Sequence, residues 1–298
     1  MRDRDQAPAG AGRAAQGVSG VAAFRLGRLL RAIMAAALMA LAASAPAHAA
    51  LHFGGPLTQG GFIRGKAPAG AQALSLDETR VTIAPDGRFF AAFDRDSPAS
   101  VTLRVTYSDG REETRSLAIA PRAWNIQRIN LPLTASVPAA DFWERRKPEL
   151  DLIAAARARA TPATGWQQDF IWPVRGRISG LFGRQRIYRG EPASFHTGID
   201  IAPGPGTPFA APADGVVVLA RSGFSLEGSL IILDHGAGLN SAFLHASQIL
   251  VTEGERVQQG QIIGHVGATG RATGPHLHWS LKWHDARLDP LLFTGPMN

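Results

Sequence analysis

Seven of the nine histidines fall between positions 196 and 284, and four of them stand in three short phrases: His196-Thr-Gly-Ile-Asp200, Phe-Leu-His245 and Pro-His276-Leu-His278-Trp. Imidazole and carboxylate suit zinc, and three protein ligands leave a fourth position open for water. A His–Asp pair followed far downstream by His-x-His is therefore the raw material of a hydrolytic metal site. The chain has no cysteine, so histidine and carboxylate must hold any such metal, and neither a disulfide nor a thiolate nucleophile is available.

The elements that carry these residues decide whether they can meet. Pro-His-Leu-His-Trp-Ser-Leu reads as a strand, in which residues two apart share a face. His276 and His278 then point one way, about 7 Å apart along the strand, while Leu277, Trp279 and Leu281 pack on the other side. One imidazole can ligate a metal while its neighbour faces water or substrate. His196 and Asp200 would be about 13 Å apart in a straight strand, so either Gly198 bends the chain or the segment turns at Thr197-Gly198. A buried histidine beside a surface aspartate is the competing reading. His245 ends the segment Leu239-Asn-Ser-Ala-Phe-Leu244, where a lone histidine would usually serve packing or the surface. His235 in Asp234-His-Gly236 reads as a turn residue; it, His265 and His284 are assigned no catalytic role.

The fold around them reads as mostly β. Leu51 to about Leu133 has short strands and turns: Val101, Leu103, Val105 and Tyr107 alternate with polar residues, and Asp109-Gly110 supplies a hairpin turn. A small N-terminal β-sandwich over 50–135 is expected, with no cluster of catalytic residue types. Residues 136–169 read as a helical linker, with Pro148 at a first helical turn. Residues 170–298 form an all-β domain of short strands and tight turns, with buried strands at Val216–Leu219 and Leu230–Leu233.

The formal charge of +7 is not a nucleic-acid signal. Residues 1–49 hold six arginines against two aspartates, leaving only +3 for the rest. Arginines through Arg31, an apolar run from Ala32 to Ala43 and Ala47-His48-Ala49 form the pattern of a cleavable signal peptide over 1–49. The run is shorter than the ~20 residues of a membrane span, and no cysteine follows it to take a lipid. A periplasmic or secreted protein without a stable membrane anchor is expected.

From Trp172 to Pro290 the sequence resembles the lysostaphin-type, or LytM-type, zinc metallopeptidases that cut peptide cross-links in bacterial peptidoglycan. The resemblance runs through Gly176-Arg-Ile-Ser-Gly-Leu-Phe-Gly183, His196-Thr-Gly-Ile-Asp-Ile-Ala, Thr207-Pro-Phe-Ala-Ala-Pro-Ala-Asp-Gly215, Asp234-His-Gly, Glu253 to Gly264 and Gly267 to Trp279. It implies an antiparallel β-sheet peptidase domain. It also implies one zinc ion held by His196, Asp200 and His278, with His245 and His276 as the catalytic pair beside it. The implied partner is the peptidoglycan stem peptide. The arginine- and alanine-rich composition suggests a Gram-negative source, where the bond would be the D-alanyl–meso-diaminopimelyl link. The family often has tyrosine two residues before the catalytic histidine, and this chain has Phe243.

Two other readings compete. Some family members have lost ligands and activate wall amidases by contact, but this chain retains all five positions. Glu253 to Gly264 also resembles biotin- and lipoyl-carrier hairpins. Those need an exposed turn lysine, and the only lysine after position 147 is Lys282, outside any such hairpin.

Overall fold

The computed structural model describes residues 51–130 and 140–297, all within one compact unit. Strands dominate, as the alternating patterns predict. The leader over 1–49 lies outside the described residues. Among those described, no helix is long and apolar enough to cross a membrane.

The first region holds two small antiparallel sheets. One orders His52–Gly54, Phe62–Lys66 and Arg88–Ala92; the other orders Thr79–Val81, Ala71–Leu76, Ser100–Tyr107 and Glu112–Ala118. The predicted alternation holds: Val101, Leu103, Val105 and Tyr107 are buried between more exposed neighbours. Their core is continuous with that of the second region. Phe62, for example, stacks on Phe293 at 4.1 Å. The next strand, Ile126–Ile129, leaves these sheets and pairs in parallel with Gln185–Tyr188.

The second region is built on an eight-stranded antiparallel sheet. Its main path runs Arg256–Val257, Gly215–Phe224, Gly228–Asp234, Leu239–Leu244, Leu277–Trp283, Ile199–Ala202 and Arg177–Gly180, with Ala286–Leu288 also paired to Leu277–Trp283. Gly228–Asp234 is buried along its whole length, which explains why Leu230-Ile-Ile-Leu is apolar without alternation. Ile231 and Leu233 face the main core. Leu230 and Ile232 lie under the single described α-helix, Ala140–Arg157, with its Ile153 and Ala156. Burying each such side chain stabilises the fold by about 2 kcal/mol.

The helix begins before Pro148, which sits in its interior and not in its first turn. Proline there removes one backbone donor; docking of one helix face offsets that loss. Arg146, Glu149, Ile153 and Ala156 recur at three- and four-residue spacing and form the less exposed face.

Candidate metal centre and its flanking histidines

Asp200 and His278 meet because their strands are neighbours: Ile199–Ala202 runs antiparallel to Leu277–Trp283, with Asp200 opposite His278. Directly opposed residues have Cβ atoms about 5 Å apart, so carboxylate and imidazole converge. Leu277, Trp279 and Leu281 are buried on the other side of the strand. His196 lies before its strand begins, and a bend at Gly198 returns its ring towards Asp200. The expected long separation is thereby removed. Gly198 also has no room for a side chain, since a Cβ there would crowd His278 Nε2 and the Trp279 carbonyl.

The three donors form a nearly equilateral triangle. Asp200 Oδ1 lies 2.9 Å from His278 Nδ1 and 3.1 Å from His196 Nε2, and the two imidazole nitrogens are 3.1 Å apart. A tetrahedral zinc ion with bonds of about 2.0–2.1 Å needs ligand–ligand edges of about 3.3 Å. The donor set fits zinc in chemistry and nearly in size, and these residues form a cluster able to hold a metal ion. His276 reaches the same place, with Nε2 3.7 Å from Asp200 Oδ1. Its ring lies 4.8 Å from that of His245, which is 6.3 Å from His278. All five residues singled out in the sequence converge.

Backbone carbonyls set the tautomers. His196 Nδ1–H donates to the Leu181 carbonyl at 3.0 Å, His245 Nδ1–H to that of Thr269 at 2.8 Å, and His276 Nδ1–H to that of Gly274 at 2.8 Å. A carbonyl only accepts, so each ring carries a proton on Nδ1, and in the neutral ring Nε2 is the lone-pair nitrogen. These carbonyls have no signature in residue type, and sequence reasoning missed them.

The charge states of Asp200 and His278 suit metal binding, while His196 is held towards its protonated form by Asp200. Burial alone would raise the Asp200 carboxyl, but bonds to His196 and His278 outweigh it and hold the group far below the usual carboxylate range. Burial pushes His278 down, against the opposing pull of Asp200. His245 is also lowered, first by burial and then by the neighbouring His276 and His278, with the Thr269 bond opposing. Burial would lower His196 too, but Asp200 and the Leu181 carbonyl raise it overall.

His245 sits at φ +67°, a left-handed conformation uncommon for a residue with a side chain. Its surroundings impose this: its N–H donates to the Glu227 carbonyl at 2.9 Å while its ring is tied to Thr269. The Glu227 side chain is in turn gripped by Arg146 of the linker helix, at 2.6 and 2.7 Å to its two oxygens. Glu149, also bound by Arg146, accepts from both the N–H and hydroxyl of Ser225. The linker thus braces the turn before Gly228–Asp234, whose Glu227 carbonyl accepts from the His245 N–H.

The histidines left without a role in the sequence serve otherwise. His235 is fully buried: its Nδ1–H donates to the Asp214 carbonyl at 2.8 Å, and Nε2 accepts from the Ser241 hydroxyl at 2.7 Å. Burial pushes it down to about 4. His265 bonds Gln248, and His284 packs edge-on against Trp283. Phe243 is fully buried and stacks on Phe209, so that departure from the family pattern lies in the core.

Residues 194–290, which contain all five converging side chains, match peptidase family M23. The chain carries an M23 peptidase domain. The chain is 42% identical over 113 residues to the peptidoglycan DD-endopeptidase ShyA of Vibrio cholerae, covering 37% of this chain and 26% of that protein. The murein hydrolase activator NlpD of Salmonella dublin is 29% identical over 189 residues, covering 63% of this chain and 45% of NlpD. The chain thus spans less than half the length of these curated relatives. A crystal structure of an M23 peptidase from Pseudomonas aeruginosa superposes with a TM-score of 0.62 at 28% identity, over 79% of this chain and 94% of that one. That overlap extends well beyond the M23 domain.

Proposed function

We propose that this protein is an exported, zinc-dependent endopeptidase that hydrolyses peptide cross-links of bacterial peptidoglycan, at the D-alanyl–meso-diaminopimelyl bond. The observation that carries this reading is the His196–Asp200–His278 triangle with two further histidines, His245 and His276, anchored beside it. Its likeness to a DD-endopeptidase supports the substrate class. The signal-like leader supports a periplasmic or secreted site of action.

When bound by His196, Asp200 and His278, zinc would polarise the scissile carbonyl and acidify water. In their neutral rings His245 and His276 each present Nε2 as the lone-pair nitrogen, because Nδ1–H is committed to a backbone carbonyl. Each can take a proton from attacking water and pass one to the leaving amine. In protonated form each can donate to the developing oxyanion. The lowered affinity of His245 for protons keeps it neutral, and so able to accept one, near pH 7.

A second reading is a non-catalytic activator of wall amidases. Its support is the similarity to NlpD, which runs over more of this chain than the similarity to ShyA. Retention of all five site residues favours the enzyme. Zinc content and digestion of purified peptidoglycan, wild type beside His278→Ala, separate the two. Stoichiometric zinc and cross-bridge fragments from the wild type alone are expected. A wild type with neither, which instead stimulates an added amidase, would establish the activator reading.

A further inference from the structure

The first β region reaches the loops around His196 through a buried arginine. Arg95, 5% exposed, lies just beyond the strand Arg88–Ala92 and crosses into the peptidase region. Its Nη2 donates to the Gly183 carbonyl at 3.0 Å and to Gln185 Oε1 at 3.1 Å. The guanidinium also lies over two rings, 4.5 Å from the centre of Phe195 and 5.1 Å from that of Trp124. Arginine is suited to this because its planar fork bonds in plane and stacks on aromatic faces, which lysine cannot reproduce.

Each of these contacts flanks His196. Phe195 precedes it in the chain. Gly183 N–H donates to the His196 carbonyl at 2.9 Å, and His196 N–H donates to the Arg184 carbonyl at 2.8 Å. Leu181, two residues before Gly183, accepts from the His196 ring. Gly183 sits at φ +77°, and a Cβ there would collide with the Trp124 ring. The first β region therefore holds both strands of the loop pair that aims His196 at Asp200.

We infer that Arg95, backed by Trp124, is a positioning residue for the metal ligand His196, so that the first β region is a working part of the metal centre. This is the reverse of a covering module that silences the site. The inference rests on the zinc reading above, but its geometry concerns the loop even without metal.

The test compares Arg95→Met and Gly183→Ala with Arg104→Met, all in the full chain. Asp96, the acid paired with Arg95 among the described residues, is 60% exposed, so Arg95→Met leaves no buried charge behind. Gly183→Ala disturbs the same contact from the other side. Arg104 pairs with Glu112 at an exposed site in the same region and serves as control. Outer partners of metal ligands typically contribute tenfold or more to metal affinity, and about a tenfold rise in zinc Kd by chelator competition is expected for the first two variants only. In metal-free protein, amide exchange should accelerate at Gly183 and His196, while Leu230–Leu233 stays protected. Unchanged zinc affinity and unchanged exchange at Gly183 and His196 would overturn the inference. Equal acceleration at Leu230–Leu233 would also overturn it, as the mark of a merely structural role. If the wild type binds no zinc, the proposed function fails, and the exchange pattern alone still decides the positioning role.

Discussion

The two flanks of the candidate site are held from different parts of the chain. The His196 flank leans on the first β region, through Arg95 stacked on Trp124 and Phe195 and bonded to Gly183. The His245 flank leans on the linker helix, through Arg146 bonded to Glu227. Both devices use a buried arginine from outside the segment that matches the family. They differ in what they can affect: one acts on a corner of the proposed metal triangle, the other on a histidine beside it. Metal affinity and turnover should therefore be separable by mutation.

The largest effect comes from the point where the flanks meet. His278→Ala removes one corner of the triangle, and we expect zinc binding and peptidoglycan hydrolysis to fall to background while the fold persists, as read by metal analysis and circular dichroism. Retained stoichiometric zinc would break the assignment of that corner.

Acid should loosen the linker side. The His235 carbonyl accepts from Trp166 N–H, its ring meets Phe170 at 4.9 Å, and adjacent Asp234 accepts from Thr161. His235 holds a proton only below about pH 4 in the folded state, against about 6.5 when unfolded. Its neutral form thus contributes stability that is complete above about pH 6.5 and lost as pH falls towards 4, about 3 kcal/mol in all. Urea midpoints of wild type and His235→Gln should converge across that window as pH falls; curves that stay parallel would remove His235 from the account.

A smaller and more selective effect is expected on the His245 flank. Arg146→Met should lower kcat about tenfold through misplacement of His245, with zinc content unchanged. In a His245→Ala background the same substitution should cost nothing further, because its route of action is already gone. An equal loss in both backgrounds would mean that Arg146 supports the fold in general. Lys147→Met sets the lower bound. Its side chain is exposed and pairs with Asp151 on the outer helix face, so a stability change within about 0.5 kcal/mol is expected by thermal melting.

Much of this was legible in the sequence, and the limits were physical. His-x-His in a strand announced itself because a two-residue period survives in any sheet, and the family phrases pointed to the other residues that converge on it. The bend at Gly198 was one of two options that strand geometry left open. The carbonyls of Leu181, Thr269 and Gly274 were invisible, since every residue has one. Arg95 and Arg146 were hidden because their partners are distant in sequence, and an arginine in a polar stretch looks the same whether solvated or buried. Pro148 misled for a related reason: helix propensity weighs local cost, while docking of Ile153 and Ala156 on the sheet decides the outcome.

The parallel pairing of Ile126–Ile129 with Gln185–Tyr188 has a kinetic consequence. The bonds that shape the His196 loop close over 88 residues, from Arg95 to Gly183, and the triangle itself over 82, from His196 to His278. Contacts of such long range form only after their loop entropy has been met by other structure. The first β region is synthesised first and can be in place before its client loop emerges. Under the proposed function, hydrolytic competence would then be a property of the last contacts to close, and a half-folded chain, lacking the triangle, would be inactive.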